Sequence, residues 1–188
     1  MESEAPNINP EIINFGFTGG EIVRLDSALR VVIPAVYKEV LEKYYQPNSA
    51  EVVCVLGSGI VRVLPAQVFQ AEAARLMALP ALNPNAKKLR QFFFGNMKKC
   101  PLDAQNRIRL SENLVKYGKL LPDSGSDDTK PGKKPSGSVN VAVVGQHNEV
   151  QIWNIDRWNQ FNATMSDNYD ELLEIVSPSV NMVSVQAV

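Results

Sequence analysis

Leu25-Asp26-Ser27-Ala28-Leu29-Arg30 recurs, seventy-seven positions later, as Leu102-Asp103-Ala104-Gln105-Asn106-Arg107. Each copy sets an Asp and an Arg four apart behind a Leu. Each then runs into an apolar segment, Val31-Val32-Ile33 in one and Ile108-Arg109-Leu110 in the other. A lone Asp-x-x-x-Arg match carries little weight, but two in matching surroundings define an internal repeat, and a repeat decides how everything else is read. The echo continues at an offset of eighty-nine. Val52-Val53-Cys54-Val55 and Ile60-Val61-Arg62-Val63-Leu64 answer to Val141-Ala142-Val143-Val144 and Glu149-Val150-Gln151-Ile152-Trp153. The extra residues fall in 122–138, a segment rich in Pro, Gly, Ser and charge, where an insertion costs little. Each unit reads as strand, turn, strand, helix, strand, hairpin turn, strand, helix.

This repeat divides the chain into a flexible extension over 1–15, a first unit over 16–67, connecting helices over 68–95, a second unit over 96–159 with the 122–138 insertion, and a C-terminal helix and tail over 160–188. Pro34 opens a helix to about Tyr45, with Tyr37, Val40, Leu41 and Tyr44 as its core stripe. Gly57-Ser58-Gly59 marks a hairpin. Asn83-Pro84 starts a helix with Lys87, Lys88 and Arg90 on its polar side and Leu89, Phe92, Phe93 and Met97 toward the core. Its run of phenylalanines reads as packing rather than as a platform for stacked bases. Ser111 opens a short helix ending near Gly118. Asp156 leads into a helix bearing Trp158 and Phe161. Ser166 and Asp167 then cap a last helix, with Tyr169, Leu172, Leu173 and Val176, that ends at Pro178.

The totals exclude several classes. No apolar run is long enough to cross a bilayer, and the acidic, polar start is not a secretory signal. Cys54 and Cys100 read as reduced thiols of a cytosolic protein, and their non-equivalent repeat positions argue against a shared metal or redox role. The one histidine, His147, sits at a turn, and no carboxylate cluster suggests a metal, so no cofactor and no small-molecule substrate are expected. The net charge is −1, yet residues 86–119 hold nine basic and two acidic side chains, an asymmetry suited to an anionic partner.

Within the repeated turn, the Asp can accept hydrogen bonds from turn amides or pair with the Arg. The Arg is then held on a rigid element with a planar fork of donors suited to phosphate oxygens or to the O6/N7 edge of guanine. The plainer alternative is an ion pair that only fixes the hairpin. Two symmetry-related aspartates also suggest a shared-proton enzyme dyad. Their contexts, Asp-Ser-Ala and Asp-Ala-Gln, do not suit close backbone approach, and a neighbouring Arg keeps each ionised, so no enzyme is expected. The candidates to face an anionic partner are Arg30, Arg107, Arg24, Lys98, Lys99 and Arg109, with Asp26 and Asp103 structuring the turns.

The paired units, with the blocks "LDSALRVVIP", "RQFFFGNMKKCPLDAQNRIRL" and "VVGQHNEVQIWNIDRW", resemble the MraZ family of bacterial transcriptional regulators over roughly Gly20 to Phe161. The resemblance implies a mixed α+β fold of two pseudo-symmetric swapped-hairpin β-barrel units, related to the AbrB class, with peripheral helices. It also implies a cytoplasmic, nucleoid-associated ring homo-oligomer on double-stranded DNA, bound to short direct repeats upstream of its own division and cell-wall gene cluster. The family's DNA-contacting Arg maps to Arg30, with Arg107 in the equivalent place. The family usually has Gly before that Arg and Lys before the Gly. Here Leu29 and Asn106 replace the Gly, and Ala28 and Gln105 replace the Lys. Leu tolerates positive φ poorly, so the first turn is either reshaped or strained. The other reading is a ring-forming interaction protein that has lost its operator.

Overall fold

A computed structural model describes residues 16–46, 49–122 and 138–184, the last eight of these by backbone alone. The 1–15 extension, nearly all of the 122–138 insertion and the end of the tail lie outside the described residues. The chain divides into two compact units, Met1–Asn154 and Ile155–Val188.

The first unit is mixed α+β. Its elements are β1 (Gly20–Leu25), β2 (Arg30–Val32), α1 (Ala35–Tyr44), β3 (Glu51–Leu56), β4 (Val61–Pro65), α2 (Ala66–Ala78), α3 (Pro84–Gly95), β5 (Lys98–Pro101), β6 (Arg107–Arg109), α4 (Glu112–Tyr117), β7 (Val139–Gln146) and β8 (Glu149–Asn154). The hydrogen-bonded strands form a six-stranded sheet in the order β1-β7-β8-β4-β3-β5 and a two-stranded β2-β6 ribbon, not one closed barrel. Every pairing is antiparallel.

Exchanging the two repeat units turns the sheet order into its own reverse, which is the signature of a pseudo-two-fold axis. Two residue pairs mark that axis. In the ribbon Val31 lies opposite Ile108, its own counterpart in the other copy. In the large sheet Arg62 lies opposite Gln151, again counterparts. The two sequence repeats are interleaved rather than side by side. β1 of the first pairs with β7 of the second, and β5 of the second pairs with β3 of the first. Neither unit can complete its sheet alone, and short strands need such partners to bury a face.

The core follows from this interleaving. Val31 and Ile108 are fully buried and share one cluster with Leu25, Leu29, Ile33, Tyr37, Leu41, Leu110 and Leu114. Each such side chain stabilises the fold by roughly 1.5–3 kcal/mol. A second cluster of Val53, Val55, Leu64 and Phe93 packs with Phe69 and Phe94 of α2 and α3. Arg62 spans β4 to β8 and α2. It is paired with the buried Glu149 and with Glu72. Burial opposes the charge on Arg62, but the two carboxylates outweigh it and raise its pKa.

Three sequence expectations are corrected. Tyr44 is exposed, and Tyr45, one residue past the helix end, stacks on Phe17 at 5.8 Å instead. In α3 the buried face is Ala86 and Phe93, while Leu89 and Phe92 are exposed. Arg90 is not turned to solvent: its guanidinium donates to the carbonyls of Leu76 and Leu79, covering the C-terminus of α2. A run of three phenylalanines lets a helix rotate without losing its aromatic contact, so spacing alone did not fix the face.

The third correction concerns the second unit. Its described part is one helix, α5 (Ile155–Ser184), rather than two, and Pro178 lies inside it. The three- and four-residue apolar spacing continues past Ser166 and Asp167, both of them exposed. A proline removes one backbone hydrogen bond without ending the helix here. Trp158 and Phe161 stack at 5.8 Å. No described helix is long and apolar enough to cross a membrane.

Candidate nucleic-acid interface

The two repeated turns have the same geometry. In the first, Asp26 Oδ1 accepts the amides of Ala28 (2.9 Å) and Arg30 (2.8 Å), and Oδ2 accepts Arg30 Nε (2.8 Å). In the second, Asp103 Oδ1 accepts the amides of Gln105 (2.9 Å) and Arg107 (2.9 Å), and Oδ2 accepts Arg107 Nε (2.8 Å). The backbone closes each turn identically: Asp26 N–H donates to Arg30 O and Asp103 N–H to Arg107 O, both at 3.0 Å. A four-residue spacing is what lets one carboxylate reach both the turn amides and the guanidinium.

These bonds set the charge state. Partial burial pushes the Asp26 carboxyl up, but the amides of Arg30 and Ala28 and the Arg30 guanidinium together bring it below its usual value. The Arg107 amide is the largest influence on Asp103, whose pKa is likewise lowered. Each aspartate is therefore held toward its ionised form by its own turn amides and its own arginine.

Both turns need a left-handed residue. Leu29 has φ of 60° and Asn106 has φ of 57°. The first turn is thus strained rather than reshaped. What holds it is the Leu29 side chain, which is buried at 5% exposure in the main core. Burial offsets a left-handed cost of roughly 1–2 kcal/mol.

The ribbon points these turns to one face. Val31 and Ile108 face inward, so Arg30, Val32, Arg107 and Arg109 face out. The register sets Arg30 directly opposite Arg109, and Val32 opposite Arg107. Lys98 of β5 donates through Nζ to the Arg109 carbonyl at 2.7 Å. A shallow cleft of about 320 Å³ is lined by Arg30, Lys98, Arg107 and Arg109, with Asp103, Pro101 and Ile108. Four of the six basic candidates therefore meet in one place. Arg24 and Lys99 do not line it. Arg24 lies exposed on β1 opposite Asn140, and Lys99 is 3.7 Å from Glu51.

The two arginines of the motif differ. Arg107 Nη2 is 2.8 Å from Asp103 Oδ2 and also donates to Gln105 Oε1 at 2.8 Å, so its fork is largely taken up. Arg30 is held only through Nε, and its terminal nitrogens make no hydrogen bond with the described residues. Sequence reading named Gln105, Lys98 and Leu29 but not their roles here: Gln105 clamps Arg107, Lys98 braces the Arg109 carbonyl, and Leu29 plugs the core. The Arg30–Arg109 pair could have been found by setting the repeat antiparallel against itself about Val31 and Ile108.

The chain matches the family model for "MraZ protein" over residues 93–173. It is also 30% identical over 146 residues to the transcriptional regulator MraZ of Haemophilus influenzae, covering 76% of this chain and 83% of that one. The chain belongs to the MraZ family. Other MraZ relatives agree. The Lactobacillus gasseri transcriptional regulator MraZ is 27% identical over 84% of this chain and 94% of its own length. That of Moorella thermoacetica is 29% identical over 80% and 89%. The family match takes in Lys98, Lys99, Asp103, Arg107 and Arg109, the second half of the MraZ repeat and of the basic ribbon.

Proposed function

We propose that the chain is a DNA-binding transcriptional regulator that sets the outer face of the β2–β6 ribbon against duplex DNA. The observation that carries this reading is the Arg30–Arg109 cross-strand pair. Like charges directly opposite one another destabilise a sheet. An anion placed between them turns that repulsion into attraction. A two-stranded ribbon fits the major groove, where an arginine fork can reach guanine O6 and N7 or flanking phosphates. Arg30 supplies a held fork with its terminal nitrogens available, and Arg107 supplies charge and reaches the DNA by releasing Gln105. Arg109 and Lys98 add charge beside them, and Arg24 and Lys99 contact the backbone farther out. The relatives' name, transcriptional regulator, supports the same reading.

The targets are short direct repeats upstream of the chain's own division and cell-wall gene cluster, bound by a ring homo-oligomer at the nucleoid in the cytoplasm. Several weak basic faces then engage spaced sites together, and effective concentration multiplies them despite a net charge of −1. β2 lies against β1 and β6 against β5, which supports reading the interleaved strands as a swapped-hairpin barrel. The reading requires no cofactor and no enzymatic step.

Gel retardation with DNA upstream of the chain's own gene tests this. The expected result is a retarded band at low salt that fades as salt rises. One observation favours a second reading, a ring-forming interaction protein without an operator: Gln105 stands in place of a lysine and occupies the Arg107 fork. No retardation at low salt would select it.

A further inference from the structure

Cys54 and Cys100 are the only cysteines in the chain and stand at unrelated places in the repeat, which argues in sequence against a shared role. The fold brings them together. In the β3–β5 pairing Val52 lies opposite Cys100 and Cys54 opposite Lys98, so the two cysteines are diagonal neighbours on one face. Both are buried and both are free thiols. Each thiol acts on the ionisation of the other. The Cys100 thiol also lies 3.4 Å from the Arg109 carbonyl, the same oxygen that Lys98 Nζ holds at 2.7 Å. Cys100 thus stands between Cys54 and the ribbon.

We propose that Cys54 and Cys100 form a peroxide-sensitive thiol pair whose conversion to a disulfide loosens the basic ribbon. The consequence for DNA rests on the function proposed above; the chemistry does not. The Cys100 sulfur attacks a peroxide oxygen, forming an S–O bond as the O–O bond breaks, and the departing hydroxide is protonated to water. The Cys54 sulfur then attacks the Cys100 sulfur, forming the S–S bond and expelling the second oxygen as water. Two thiols lose two electrons and one hydrogen peroxide becomes two waters.

The environment assigns the order of attack. The neighbouring Cys54 thiol and the Lys98 ammonium bring the Cys100 thiol below its usual value against the pull of burial. The neighbouring Cys100 thiol and burial push Cys54 up. Access comes through β5, a four-residue strand at the edge of the sheet ending in Pro101. Short edge strands open locally more readily than central ones. Diagonal neighbours on paired strands have Cα atoms about 7–8 Å apart, whereas a disulfide closes at about 5.5–6 Å. Closing the bond therefore draws β5 along β3, turns Cys100 away from Arg109 and removes its S–H donor.

The test uses the full chain treated with hydrogen peroxide, with Cys54→Ala and Cys100→Ala as parallel variants. Mass spectrometry without reductant should find the wild type lighter by two hydrogens and both cysteines closed to iodoacetamide; dithiothreitol should reverse this. Hydrogen exchange at the β6 amides should rise severalfold in the oxidised wild type and in neither variant, a readout that needs no DNA. If reduced protein binds DNA, its affinity should fall severalfold on oxidation in the wild type alone. Thiols that remain alkylatable after peroxide would overturn the proposal, as would unchanged β6 exchange in the disulfide form. A DNA effect shared equally by the variants would overturn its link to binding. Failure of reduced protein to bind DNA would instead count against the proposed function and leave the mass and exchange results to decide this one.

Discussion

Asp26 does for Arg30 what a binding partner would otherwise have to do: it fixes the guanidinium before the ligand arrives. Ordering a long side chain at an interface costs roughly 0.5–1.5 kcal/mol, and the Asp26 carboxylate meets that cost in advance. Asp26→Asn should therefore weaken DNA binding more than it weakens the fold, measured as anisotropy titrations beside urea melts. The acid side of the stability curve follows with its sign. Both motif carboxylates lie below their usual value in the fold, so they add stability above the unfolded carboxylate value of about 3.9, and this is lost as pH falls through the lower folded values. The melting temperatures of wild type and of Asp103→Asn should then keep a constant separation from neutral pH down to the unfolded carboxylate value of about 3.9 and converge only below it. The left-handed positions separate strain from packing. Asn106→Gly should be neutral or stabilising within about 1 kcal/mol. Leu29→Gly should destabilise by about 1–3 kcal/mol, because a buried leucine is worth more than the strain it carries. A more stable Leu29→Gly protein would show that its side chain does not hold the turn.

At the level of elements, the ribbon and the large sheet place opposite demands on charge. Across β2–β6, Arg30 faces Arg109, so Arg109→Ala should leave stability unchanged or slightly raised while lowering DNA affinity. Across β4–β8, Arg62 is paired with the buried Glu149, and Arg62→Ala should cost about 3–5 kcal/mol by stranding that carboxylate, read as a shift in the urea midpoint. The strands and their turns were legible in the sequence because the repeat states each of them twice, and because glycine, proline and the Asp-x-x-x-Arg spacing each have one local meaning. The faces of the helices were less so. Arg90 reads as a surface residue until the end of α2 is seen beneath it. Tyr44 and Tyr45 are adjacent, and only the position of Phe17 decides between them. The single α5 was hidden by Pro178 and by Ser166 and Asp167, whose capping habit holds only where an apolar stripe breaks.

At the scale of the first compact unit, the strand order reads the same from either end when the sequence repeats are exchanged. Which basic residues meet was not legible from charge runs. It depends on the antiparallel register about Val31 and Ile108, which joins Arg30 to Arg109 and leaves Arg24 and Lys99 outside the cleft. The central claim is that this ribbon binds DNA through held arginines, and a salt titration of binding to the chain's own upstream DNA tests it most directly. Wild-type affinity should fall steeply and linearly on logarithmic axes, and Arg30→Ala should both weaken binding and flatten the slope by about one for each phosphate no longer neutralised. An Arg30→Ala protein with the affinity and salt slope of the wild type would contradict the account.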